Sequence, residues 1–133
     1  MRTRTPARAA AVLLILEGVA LVGIAAWQIA ALTAGDTGSV ESAIALLVLT
    51  FVGAAALVAF GVAVRRGRSW GRSGGIVAQL LIVAVALGAA TGEYAHPLTA
   101  LALAGPAILV LVLLVLAARD ARKDAADADS ENP

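Results

Sequence analysis

The amino-acid sequence predicts an all-α fold: a four-helix transmembrane bundle running up-down-up-down with both termini cytoplasmic. Three observations lead there: four apolar stretches of membrane-crossing length, short polar connections between them, and ten basic residues that all fall on one side of those stretches. Of 133 residues, 61% are hydrophobic and 14% charged, against roughly half and about a quarter in a soluble domain. A chain of this balance is solvated by lipid.

The first span runs from Ala9 to Leu32, the second over about 40–64, the third over about 74–91 and the fourth over about 98–118. At about 1.5 Å per helical residue, each run is long enough to cross a hydrocarbon core of roughly 30 Å, some with tilt. Helices and closed barrels alone satisfy their backbone hydrogen bonds in lipid, and these unbroken Ala, Leu and Val runs lack the alternation of a barrel strand. The connections are Thr33 to Ser39, Arg65 to Ser73 and Gly92 to Pro97. Links this short make consecutive helices antiparallel neighbours. Residues 1–119 thus form one transmembrane domain, and 120–133 an acidic, Ala- and Asp-rich cytoplasmic tail expected to be a frayed helix end followed by disorder.

A cleaved signal peptide is the rival reading of the first run, because Arg2, Arg4 and Arg8 precede it. The run exceeds a typical signal core, contains Glu17, and has Leu32 where cleavage near Ala34 would want a small residue. A retained span fits better. Orientation follows from charge: Arg2, Arg4 and Arg8 precede the first span, Arg65, Arg66, Arg68 and Arg72 separate the second from the third, and Arg119, Arg122 and Lys123 follow the fourth. The other two loop regions carry only Asp36, Glu41 and Glu93. The positive-inside rule assigns the basic side to the cytoplasm of a cell membrane.

Lipid removes the hydrophobic drive between helices, so small residues that let backbones approach become the expected contacts. Four-residue spacing offers Ala55, Ala59 and Ala63 in the second span, Ala84, Gly88 and Gly92 at the third, and Ala100 and Ala104 in the fourth. Pro106 lacks the N–H that would reach the Ala102 carbonyl and is expected to kink the fourth span. Pro97 suits a first helical turn, where its missing N–H costs nothing.

Composition excludes several functions. The absence of cysteine rules out disulfides, thiolate metal sites and thiol nucleophiles. A single histidine, His96, cannot build a zinc-type pair, and aromatics at 4% argue against a stacking surface for nucleic acid. Paired carboxylates within a span and a Gly-rich phosphate loop are also missing, so neither catalysis nor a cofactor is expected. Glu93 and His96 share the outer loop, two ligands without a third.

Glu17 is the ionisable residue deep inside a span. Insertion scales put such a group at about 2.5 to 3.5 kcal/mol, so it should face the bundle and be neutralised or hydrogen-bonded. Leu21, Ile24 and Gln28 share its helical face. Counting depth from the basic side places Glu17 and Gln79 at similar levels on helices that run the same way, which predicts an interhelical polar clamp between them. Glu17, Gln28 and Gln79 are therefore the intramembrane candidates. Arg65, Arg66, Arg68 and Arg72 should draw the chain to anionic headgroups, with Trp70 at the headgroup boundary. The same loop could dock an acidic partner or the chain's own Asp-rich tail. Trp27 and Tyr94 read as anchors at the opposite interface.

The Leu16-Glu17 pair and the Arg-x-Arg-Ser-Trp-x-Arg loop leading to Gln79-Leu80-Leu81 resemble the small four-helix membrane proteins widespread in actinobacteria. That resemblance implies a membrane location more than an activity. A second resemblance, through Glu17 in the first of four spans, is to small multidrug resistance transporters, and it implies a carboxyl that binds protons and cationic drugs. The third span, 74–91, lacks the Trp or Tyr of such a drug site. The expected function is that of a non-catalytic accessory or scaffold subunit, partnered by anionic lipid and by itself or a larger membrane protein; the alternative is a proton-coupled transporter using Glu17.

Overall fold

A computed structural model describes residues 5–132 as four helices: α1 (Thr5–Thr33), α2 (Val40–Arg65), α3 (Ser69–Thr91) and α4 (Pro97–Ser130). All four are long and apolar enough to cross a membrane. Arg2, Arg4 and Pro133, which enter the charge and tail assignments above, lie outside the described residues.

The helix ends explain the turns. α1 and α2 each run into a glycine with positive φ, Gly35 at 73° and Gly67 at 74°. At the second of these, Gly67 N–H donates to the Val64 carbonyl at 3.0 Å and Arg68 N–H to the Ala63 carbonyl at 2.9 Å. This is the paired closure of a Schellman motif, and it reverses the chain within three residues. The first corner repeats it with Gly35 N–H to Leu32 and Asp36 N–H to Ala31. Ser39 then caps α2, its hydroxyl accepting from Ser42 N–H.

Three boundaries differ from the sequence expectation, the first being α1, which begins at Thr5, ahead of the expected Ala9. The third span is expected from about 74, and α3 already begins at Ser69, so Trp70 and Arg72 sit in its first turn and the connection shrinks to Arg66–Arg68. Once the Schellman corner has turned the chain, nothing in Ser-Trp-Gly-Arg-Ser prevents helix, and Ser73 settles its hydroxyl on the Ser69 and Trp70 carbonyls. The last difference concerns the tail from 120 on, expected as a frayed helix end followed by disorder: α4 continues as helix through Ser130. Five of the residues from 121 to 130 are Ala or Lys, good helix formers that extend an already nucleated helix at little cost. Pro97 occupies the first turn of α4 as expected, and α4 passes through Pro106 without interruption.

The bundle has an apolar interior, and unlike a soluble one it also carries large apolar side chains on its exterior. Small residues fill much of its interior, among them Ala11, Gly18, Ala54, Gly61, Gly71, Gly75 and Ala107, whereas Leu16, Leu49, Val77, Leu81 and Leu101 point outward. On α1 the buried set Ala11, Leu14, Gly18 and Ala25 keeps the three-four spacing of a coiled-coil seam, as do Ala54, Leu57, Gly61 and Val64 on α2 and Ala100, Ala107, Val110, Leu114 and Ala117 on α4. The most extensive contacts are α1 with α2 and α3 with α4.

The α1–α2 seam is held by two glycines that face each other's helix. A β-carbon on Gly18 would lie 2.7 Å from Val58 Cγ2 and 3.0 Å from the Ala54 carbonyl oxygen; one on Gly61 would lie 2.9 Å from the Ala11 carbonyl oxygen. Only glycine lets the two backbones come this close. The small residues singled out by four-residue spacing are mostly elsewhere: Ala55, Ala59, Ala84, Gly88 and Gly92 are exposed, Ala104 is half-buried, and only Ala63 and Ala100 are buried. At the centre, Leu14 and Leu114 are fully buried and converge on Gly75.

Candidate functional site: the Glu17–Gln79 pair

α1 brings Glu17 to the bundle twelve residues after its start, and α3 brings Gln79 in ten residues after its own, depths of about 18 and 15 Å along the axes. Gln79 Nε2 donates to Glu17 Oε2 at 2.6 Å. The local sequence permits this diagonal contact because Gly18 lets α1 settle against α2, while Gly75, one turn before Gln79, lets α3 close on Leu14 and Leu114. Gln79 is completely buried, and its Oε1 has no hydrogen-bond partner among the described residues.

Glu17 is half-buried, and its free side lines a cavity of about 430 Å³ with Leu13, Leu16, Ala20, Pro106 and Leu109, between α1 and α4. Glu17 is the one ionisable group in this otherwise apolar lining. A carboxyl in either protonation state can accept from Gln79 Nε2. Only the protonated form can also donate, and the unmatched Gln79 Oε1 is an acceptor beside it. The nearest basic residue along α1 is Arg8, some 13 Å away by helical rise.

Gln28 is not part of this pair. Its Nε2 donates to Thr50 Oγ1 at 3.2 Å, and that hydroxyl donates to the Leu46 carbonyl at 2.8 Å. The three intramembrane candidates thus split into two clamps, one joining α1 to α3 and one joining α1 to α2. Gln28 Oε1 is also buried without a partner among the described residues.

At the arginine corner, Arg65, Arg66 and Arg68 are exposed and Arg72 is half-buried, its guanidinium donating to the Gly67 carbonyl at 3.3 Å. Trp70 is 49% exposed, and its ring meets Phe60 edge-on with centroids 6.0 Å apart. Trp27 and Tyr94 are 76% and 83% exposed. Among the described residues no group of three or more His, Asp or Glu could hold a metal ion.

Thr50 and Phe60 are the partners that the sequence leaves unannounced. Thr50 is the lone hydroxyl between 43 and 64, which is a usable signal for a mate to Gln28. Phe60 carries no such mark in an apolar run.

The chain matches no protein-family model, no curated protein and no solved structure. The chemistry of the site is therefore the ground for a functional reading.

Proposed function

We propose that the chain is a non-catalytic, multi-pass protein of the cell membrane that serves as an accessory or scaffold subunit, packing against itself or a larger membrane partner. One observation carries this reading: the deep carboxyl, Glu17, is engaged by a fully buried glutamine that ties α1 to α3. Interhelical hydrogen bonds of this kind hold membrane bundles together. Helix faces rich in large apolar side chains remain outside for lipid or protein.

In this reading the helices alternate in direction and both ends lie in the cytoplasm. The order of contacts supports alternation, since Ala11 meets Gly61, Gly18 meets Ala54 and Gln28 meets Thr50. Sidedness rests on the arginines. Crosslinking in native membranes tests the function: a second copy or a membrane protein should be captured equally by the wild type and by Glu17→Gln, which keeps a hydrogen-bonding group. Capture of neither would remove the proposal.

A second reading, proton-coupled transport of a small cationic molecule, is favoured by the cavity beside Glu17. It requires that proteoliposomes given a proton gradient use it to move a cationic dye and that Glu17→Gln abolish the movement. An inactive wild type across a broad cation panel counts against it.

A further inference from the structure

α2 and α3 come closest at the end where the Gly67 corner joins them. There, a β-carbon on Gly71 would lie 2.7 Å from the Val64 nitrogen. One turn further on, Phe60 lays its ring over Gly74, and the α2–α3 contact taken as a whole is much less extensive than that of α1 with α2. A groove of about 650 Å³ opens between α2 and α3, with walls that include Leu49, Val52, Ala56, Val77 and Leu81, and Trp70 at its end. From Trp70 to Leu81 is eleven residues, about 16 Å of helix. That is about half of a 30 Å hydrocarbon core, the depth of one leaflet.

Trp70 also borders a second cavity, of about 320 Å³, shared with Val62, Ala63, Arg66 and Arg68. Arg72 is turned back onto the Gly67 carbonyl, whereas Arg66 and Arg68 line this space. An apolar trough one leaflet deep therefore ends at a pair of guanidinium groups, with one indole between them.

The geometry points to a binding site for a single anionic phospholipid, with an acyl chain along the α2–α3 groove and its phosphate held by Arg66 and Arg68. The guanidinium fork matches phosphate oxygens, which a neutral or purely apolar occupant would leave unmatched. A free phosphate would have no use for the groove. A transmembrane helix from a second copy would cover the apolar walls but bring no anionic group of its own to the arginines at their end. Trp70 packs on Phe60 and so stands fixed where glycerol would join head to chain, the level at which indoles settle.

The site has a direct optical test, because Trp27 and Trp70 are the only two tryptophans. The full chain carrying Trp27→Phe is placed in nanodiscs of unlabelled phosphatidylcholine doped with acyl-brominated phosphatidylglycerol or, separately, acyl-brominated phosphatidylcholine. Brominated phosphatidylglycerol should quench Trp70 at a much lower mole fraction, with each arginine contributing about a fivefold preference. Arg66→Gln with Arg68→Gln should abolish most of that preference, and Arg119→Gln with Arg122→Gln should leave it intact. Ala56→Phe, which fills the trough and spares the charges, should weaken quenching by phosphatidylglycerol. Equal quenching by the two lipids, an equal loss from the α4 pair, or indifference to Ala56→Phe would each overturn the assignment.

Discussion

Glu17 and Gln79 stand 62 positions apart in the chain and share a hydrogen bond of 2.6 Å. The bond joins α1 to α3 across the bundle. If it holds the bundle, the two side chains must be energetically coupled. A double-mutant cycle on Glu17→Ala and Gln79→Ala, read by SDS unfolding from mixed micelles, should give a coupling of about 0.6 to 1.7 kcal/mol. Glu17→Gln should lose less than Glu17→Ala. Strict additivity would show the pair to be idle.

Gly18 and Gly61 make the α1–α2 seam possible. Gly18→Val and Gly61→Val should each destabilise the bundle by about 1 to 3 kcal/mol through overpacking. Gly23, around which a β-carbon would meet nothing within 4 Å, is the control, and Gly23→Val should change stability by less than about 0.5 kcal/mol. The same micelle unfolding assay reads all three.

Leu114 is fully buried and Leu101 is 68% exposed. Leu114→Ala should cost about 2 to 5 kcal/mol, because it empties the contact with Leu14 and Gly75. Leu101→Ala exchanges one lipid-facing side chain for a smaller one and should stay within about 0.5 kcal/mol. Equal costs would mean that the outward faces are not in lipid.

The Gly67 corner demands a left-handed residue. Gly67→Ala should cost about 1 to 2 kcal/mol, Gly67→Asn less, and Gly38→Ala, where φ is not positive, close to nothing. Thermal unfolding in detergent, followed by helical circular dichroism, separates the three.

The four helices were legible because predominantly apolar runs of about twenty residues leave few alternatives to crossing a bilayer, and polar or charged residues separate them. The proximity of Glu17 and Gln79 was legible for a simpler reason: both are rare polar groups, and depth in a bundle follows from counting. Helix faces were not. In an Ala-rich chain, small residues four apart occur on every side, so Ala55, Ala59, Ala84 and Gly88 looked as suitable as Gly18 and Gly61. What distinguishes the true seam is its three-four spacing shared with Leu14 and Leu57. The start of α3 was hidden because Trp70 and Arg72 read as a polar loop, although polarity at a membrane surface does not forbid helix. The end of α4 was hidden by its charges, which obscured alanines that propagate a helix well.

The central claim is a polypeptide threaded four times through lipid, with its arginines facing the cell interior. The chain has no cysteine of its own, so single substitutions report position cleanly. Intact cells expressing Asp36→Cys, Ser69→Cys, Glu93→Cys or Ser130→Cys are treated with a membrane-impermeant maleimide. The account predicts labelling at 36 and 93 from outside, and at 69 and 130 only after permeabilisation. Labelling of 69 or 130 in intact cells, with 36 and 93 protected, would contradict it.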